Sequence, residues 1–474
     1  MDVLLICANR NHHPAPVIPY GACLAADAAA RAGHRVRVLD LMFAPRPLQA
    51  VEAALKNSPP DVVGLSVRNL DNNDMQAPVE FVSELATISW TVRQFSTAPL
   101  VLGGPAVGVM PEPLLRRTGA DWAVLGDGET VFPQLLNALE NGGKVPEVPR
   151  LGWLEGVPYR VSVDTPCPLT SAAILPRFSR WLDLKAYGAA LAALPLQSKR
   201  GCPFSCIYCT YGLSEGRGYR LLPPAEVAAA VQALSAQGLK DIEFVDNVFN
   251  SPYDHALALC DSLAAVPHEG RLVSLELNPA FIDDRLLRAM KQAGFVGVGV
   301  TAESAADPVL AGLQKGFTAA DLERAAAAVR RSPLPCFWIF LLGGPGETEA
   351  TVLETISFAR RILRKGDVAL LSVGIRIYPG TELEARARQE SVLSLSAQEM
   401  LQPIFYFSPG LDLSWTRDQV RRATAENLNI IHAGSLSHPW LPAVNRVFHR
   451  LPLRPLWRHT RAIRRVVRAL GRDI

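Results

Sequence analysis

The sequence predicts an α/β protein: two strand–helix units in tandem, then a small helical C-terminal region. Three observations carry this. Near-continuous apolar runs alternate with helical patterns over residues 1–145 and again over residues 198–390. Between them Pro146, Pro149, Pro158, Pro166, Pro168 and Pro176 break any regular pattern, marking residues 146–197 as a linker with a small hairpin. Residues 391–474 end in a basic pattern of helical period.

The first unit opens on Val3 to Ala8, an apolar strand, followed by an alanine-rich helix from Gly21 to Ala32 that stops at Gly33-His34. Val36 to Leu39, Asp61 to Val67, Pro99 to Gly104 and Trp122 to Gly126 read as the next strands. Strands this continuously apolar are buried on both faces, as in a parallel Rossmann-like or flavodoxin-like sheet. Ligands of such sheets bind at the carboxyl ends of the strands. The loops that qualify begin at Ser66, Arg68 and Asn69, at Gly103-Gly104-Pro105, and at Gly126-Asp127-Gly128-Glu129. Cys167 in the linker reads as structural. In the second unit the strands are Asp241 to Val245, Leu272 to Leu277, Gly297 to Ala302, Cys336 to Leu342 and Ala369 to Ile377, plus one before Cys202. That makes six strand–helix units.

Composition excludes several classes. The chain has 474 residues, 49% hydrophobic content and a mean hydropathy of +0.13, which describes a globular protein with room for two cores. No apolar run reaches bilayer-spanning length, and Met1 to Ile6 enters a strand without a basic, cleavable leader, so a cytoplasmic protein is expected. The net charge of +3 sits in the tail, where residues 446–474 hold nine arginines against Asp473. The body before it is slightly acidic and offers no nucleic-acid surface. Arg454, Arg458, Arg461, Arg465, Arg468 and Arg472 recur at helical steps opposite Ile463, Val466, Val467 and Leu470. Such a helix suits an acidic partner, a membrane surface, or docking by its apolar side.

The chemistry is concentrated between Ser198 and Cys209. Three of the eight cysteines, Cys202, Cys206 and Cys209, are spaced C-x3-C-x2-C. Thiolates at that spacing can each take one iron of a four-iron four-sulfur cluster and leave the fourth iron open. Zinc is the weaker alternative, since it asks for a fourth Cys or His nearby and the nearest downstream histidine is His255.

This triplet, with Tyr208 just before its last cysteine, resembles the signature loop of radical S-adenosylmethionine (SAM) enzymes. The resemblance implies that SAM chelates the open iron, that an electron from the cluster cleaves its sulfonium bond to a 5′-deoxyadenosyl radical, and that Tyr208 lies near the adenine. It also implies a partial (β/α)6 barrel, with chemistry at the carboxyl ends of the strands. Asp246 and Asn247, ending one strand, match groups that bind the methionine amino end. Glu303 matches the acidic residue that takes ribose hydroxyls. Gly343 and Gly344 allow close backbone approach to the nucleoside. Arg376 and Tyr378 follow the last strand. Lys315-Gly316 fits as helix-end chemistry.

The N-terminal succession of glycine-bearing strand ends resembles the cobalamin-binding domain fused ahead of many radical SAM enzymes. On that resemblance Ser66, Arg68, Asn69, Gly103, Gly104, Gly126 and Glu129 become cofactor-binding candidates. His12, His13 and His34 are the only histidines there, and none sits in Asp-x-His-x-x-Gly. The cobalt is therefore expected without a protein imidazole, with Arg68 facing the underside of the ring and disfavouring added positive charge. What the resemblance implies is a cobalamin-dependent radical SAM methyltransferase acting on an unactivated carbon of a small metabolite through methylcobalamin, with a flavodoxin- or ferredoxin-type electron donor. A cobalamin-dependent radical SAM cyclase or oxidoreductase shares every motif. A methylthiotransferase would need a second cysteine triplet, and only Cys7 and Cys23 occur in the first unit. Residues 381–445 hold no recognition motif, although Tyr406 and Trp415 suit a pocket wall or a core.

Overall fold

The computed structural model describes residues 1–163, 175–238, 240–438, 441–449, 451 and 453–469. Cys167, Leu470, Arg472 and Asp473 lie outside the described residues.

The first sheet is built from β1 (Asp2–Cys7), β2 (Arg35–Asp40), β3 (Val62–Ser66), β4 (Leu100–Gly103), β5 (Trp122–Val124), β6 (Leu151–Leu154) and β7 (Tyr159–Val161). Its order is β2-β1-β3-β4-β5-β6-β7, with β1 to β5 parallel and β6 and β7 added as an antiparallel hairpin. The first five strands thus follow the 2-1-3-4-5 order of flavodoxin-like sheets. The hairpin expected in the linker extends this sheet. The helix Tyr20–Arg31 buries every residue from Ala22 to Ala29 because alanine lets a helix lie close on the sheet. Asp27 is buried with them and accepts from the Arg177 and Trp181 side chains, each at 3.0 Å.

The second sheet comprises β8 (Leu194–Leu196), β11 (Asp241–Phe244), β12 (Arg271–Leu277), β13 (Phe295–Glu303), β14 (Cys336–Leu342), β15 (Val368–Val373) and β18 (Ile430–His432). All pairs are parallel, in the order β8-β11-β12-β13-β14-β15-β18, and β8 and β18 do not pair. A parallel sheet coiled this way but left unsealed is a partial barrel. It has seven strands where six are expected. The seventh, Ile430–His432, falls in the region read as helical because three residues are too short to give a period.

Two small ribbons complete the fold. β9 (Lys199–Arg200) pairs antiparallel with β10 (Arg220–Leu221) and brackets the cysteine loop; β16 (Ile375–Arg376) pairs with β17 (Phe405–Tyr406). The strand expected over Ala369 to Ile377 breaks at Gly374, whose φ is +79°. A Cβ there would collide with Met75 of the first unit, so the break is where the two units touch.

The tail folds as a turn at Leu456–His459 and a helix at Thr460–Ala469. Of the expected apolar side, Ile463 and Val467 are half-buried and Val466 is 60% exposed. Arg464 is buried instead, donating to the carbonyls of Asn427, Ile430 and Thr424, while Arg468 donates to Ala425 and Thr424. The Thr424, Ala425 and Asn427 carbonyls end the helix Leu413–Glu426, where guanidinium groups are favoured, and Ile430 opens β18. Arg454 pairs with Asp241. Of the expected guanidinium face, Arg458, Arg461 and Arg465 remain exposed.

Candidate active site

The cysteine loop is locked by backbone. Gly201 has φ +83°, and a Cβ on it would overlap the Gly218 carbonyl oxygen, so only glycine fits before Cys202. Cys202 N–H donates to Gly216 O, Cys209 N–H to Cys206 O, Ile207 N–H to Leu313 O, and Leu383 N–H to Ile207 O. Burial raises the Cys202 thiol above its usual value and pushes Cys209 up to about 11; in each case the neighbouring cysteines add to the rise and Lys315 opposes it. The three sulfurs therefore share one electrostatic neighbourhood. Among the described residues no three His, Cys, Asp or Glu side chains converge on a single metal ion. Zinc needs such convergence, with ligand atoms about 2.0–2.3 Å from one point. A cluster spreads its thiolates over separate irons. The donor set fits the cluster.

Beside the loop, Tyr208 Oη donates to Glu303 Oε1 at 2.7 Å, and Lys315 Nζ reaches both, at 3.0 Å to Tyr208 and 3.1 Å to Glu303. Both charges are buried, with side-chain exposures of 8% and 6%. Burial opposes the Lys315 ammonium, yet Glu303 holds its pKa well above the usual value. Lys315 is thus a member of the site and not only a helix end. Glu303 has φ +59°, left-handed for a non-glycine residue, at a register shift between β13 and β14. Strain of that kind collects at functional strand ends.

Several expected contacts have other partners. Asp246 is fully buried and accepts from Ser198 N, Ser198 Oγ, Lys199 N and Lys199 Nζ. With those lone pairs engaged it ties β11 to the start of the cysteine loop and is not free to take a methionine ammonium. Asn247 Nδ2 donates to Glu215. Gly343 has φ +95°, and the space of its missing Cβ is filled by the Phe407 ring, so its glycine answers to packing. Gly344 is closed in the same way by Leu313. Arg376 donates to Asp71 Oδ2 at 2.7 Å and to the carbonyls of Ile377, Met400 and Ile404, which commits four of its five N–H groups within the protein. Tyr378 Oη donates to Asn73 at 2.9 Å.

The first unit's loops behave similarly. Glu129 and Asp127 pair with Arg200, and Asp127 with Arg220, so the acidic loop grips the ribbon that carries the cysteines. Behind Gly126 stands the Arg150 guanidinium, where a Cβ would clash. Gly104, with φ +107°, lets its backbone lie on the Val67 carbonyl. Ser66 Oγ and Gly103 have no such engagement; the Gly103 Cβ position meets only Val124, at 4.0 Å. Asn69 pairs its amide with Arg68.

Arg68 leaves its own unit. It forms no ion pair among the described residues, and burial lowers its pKa while Tyr211 and Glu243 of the second unit counteract this. Burial also raises Glu243, and burial and then Glu303 push Glu276 up to about 8. Tyr211, Glu243 and Glu276 were missed from the sequence, and Lys315 was read there only as helix-end chemistry. The polar Glu276 near the end of apolar β12 was the available signal, the same one that singled out Glu303.

Family comparisons agree with this geometry. The profile of the B12 binding domain matches residues 6–136, and that of the radical SAM superfamily residues 196–359. An uncharacterized methyltransferase of Pyrococcus horikoshii is 26% identical over 364 residues, 74% of this chain and 75% of that one. Tryptophan 2-C-methyltransferase of Streptomyces laurentii is 24% identical over 439 residues, covering 80% and 73%. Among solved structures, the radical SAM methyltransferase TsrM of Kitasatospora setae, with cobalamin and a [4Fe-4S] cluster bound, superposes with a TM-score of 0.85 at 23% identity over 99% of both chains. The chain thus carries a B12 binding domain over residues 6–136 ahead of a radical SAM domain over residues 196–359, a pairing that supports a four-iron cluster, SAM and cobalamin as its cofactors.

Proposed function

We propose that this chain transfers a methyl group to an unactivated carbon of a small metabolite. The observation that carries the reading is the pairing of a B12 binding domain with a radical SAM domain in one chain; Arg68, at the end of β3 in the first, is within electrostatic reach of Tyr211 and Glu243 in the second. The relatives named as methyltransferases support it. When bound, the cluster supplies one electron to the SAM sulfonium and cobalamin supplies a methyl carrier.

The chain's own residues do the rest. Cys202, Cys206 and Cys209 hold three irons and leave the fourth to SAM. Tyr208, fixed by Glu303 and Lys315, sets the position of the nucleoside. Arg68 would stand beside bound cobalamin and disfavour added positive charge there. Glu276 carries a proton on its carboxyl group at neutral pH and exchanges it at that oxygen. The buried position of these groups excludes water from the reacting carbon. Electrons come from a flavodoxin- or ferredoxin-type donor.

The test is an anaerobic assay of the reconstituted protein with methyl-labelled SAM and candidate metabolites, read by mass spectrometry. A product heavier by one labelled methyl group is expected. A product formed without mass gain would make the chain a cyclase and end this reading. Changing any of the three cysteines to alanine is expected to remove the cluster and all SAM consumption.

A further inference from the structure

The lower lumen of the barrel is neither packed nor filled by polar residues. It holds a cavity of about 340 Å³, within the size range of small-molecule sites. Val273 and Leu275 of β12, Val296 of β13, Phe337 of β14 and Ile431 of β18 form its wall. A closed (β/α)8 barrel fills this space with layers of side chains. Here the sheet stops short of closure, and the gap between β8 and β18 is covered from outside.

The C-terminal segment makes the floor. Trp457 sits so close under β13 that a Cβ at Gly297 would lie 2.7 Å from its ring, and the ring also meets Phe337 edge to face. Arg454 and Arg271 both pair with Asp241 at the rim. Asn445 donates to the Pro14 carbonyl of the B12 domain at 2.9 Å, closing the seam. The buried Arg464, held by three backbone carbonyls, fastens the floor helix.

The charges along this wall are therefore engaged with one another or with backbone, apart from Glu243 at the upper end. Besides Glu243, Ser435 lines the cavity and is buried; among the described residues its hydroxyl, itself shielded from the open space, has no hydrogen-bond partner. A buried hydroxyl without a partner costs about 1–3 kcal/mol, so it marks a place where a ligand oxygen gains by binding. None of the cluster cysteines, nor Tyr208, Glu303 or Lys315, lines this space.

We propose that the cavity is the chamber for the apolar body of the substrate. This rests on the methyl-transfer reading and adds the substrate class: an aromatic or branched-alkyl molecule without negative charge. Its oxygen function meets Ser435 Oγ once that hydroxyl turns into the chamber about χ1, and its reacting end points up past Leu275 toward Glu276 and the cysteine loop. An anionic body is excluded, because the arginines at the rim already have partners and a further buried negative charge would stay unpaired.

The probe is 1-naphthol, an apolar ring system with one hydroxyl, titrated calorimetrically into the anaerobically reconstituted full chain. Saturable binding at one site is expected, with the negative heat-capacity change of apolar burial. Val273→Phe, which fills the chamber, should weaken binding at least about tenfold, and Ser435→Ala about threefold or more. In the wild type 1-naphthol should also change the rate of SAM consumption, and in Val273→Phe it should not. The chamber is refuted if, in protein retaining its four-iron cluster, 1-naphthol fails to bind or binds both variants as it binds the wild type. Should SAM never be consumed while the two variants still lose the probe, the chamber stands and the methyl-transfer reading fails.

Discussion

Glu276 offers the sharpest test of the electrostatics inside the barrel. Burial first, and then the neighbouring Glu303, push its carboxyl up to about 8. An unfolded chain releases this proton near pH 4.3. Between those two values the folded state binds more protons than the unfolded one, so this group makes stability fall as pH rises. Each unit of separation is worth about 1.4 kcal/mol, and the penalty reaches about 4–5 kcal/mol once the pH passes 8, against about 1 kcal/mol at pH 5. Glu276→Gln removes the titration while keeping size and hydrogen-bonding capacity. The advantage of the variant over the wild type, in the cofactor-free full chain, should therefore be about 3–4 kcal/mol larger at pH 8 than at pH 5. Urea unfolding followed by tryptophan emission at the two pH values measures this. A difference between variant and wild type that is the same at both pH values would refute the assignment, since burial of an ionising group is the only part of the argument that depends on pH.

Two further substitutions probe the buried pairs. Lys315→Met strands the Glu303 carboxylate and should cost about 3–5 kcal/mol of stability. Adding Glu303→Gln should restore stability without restoring the affinity for SAM, measured by equilibrium dialysis. Arg376→Met strands Asp71 in the same way, at a similar cost of about 3–5 kcal/mol. It should also shorten cobalamin retention on a gel-filtration column, and Asp71→Asn on top of it should return most of the unfolding midpoint.

The cysteine loop and the strand–helix order were legible because both are local. Continuous apolar runs such as Cys336 to Leu342 give a strand that the structure reproduces residue for residue. The three cysteines lie within eight positions. What sequence could not give was the partner of each strand-end polar residue. Arg376 and Asp71 are 305 positions apart, and Arg200 and Asp127 are 73 apart. Nothing in either segment marks it as half of a pair, so Arg376 read as a ligand contact in its own right and its tie to Asp71 went unseen. The last short strand and the inward turn of Arg464 were missed for a related reason. An arginine that caps another helix's carbonyls has the same helical period as one that faces solvent.

The positions of those pairs bear on how the two cofactor sites are kept in register. Arg200 directly precedes Gly201 and Cys202, and Asp127 and Glu129 sit on the loop after β5. Asp71 follows the loop of Arg68 by three residues, and its partner Arg376 follows β15. Each tie therefore joins a B12-domain loop to the backbone that carries a site in the other domain, with no intervening helix to flex. Both are buried, so opening either one would expose a desolvated ion to a poorly solvated gap, at about 3–5 kcal/mol per broken pair. Two such ties on different strands, with Met75 wedged at Gly374, resist hinge motion about any single axis. The geometry between Arg68 and the cysteine loop is thus built into the fold rather than formed on binding, which is what a transfer between two bound groups requires.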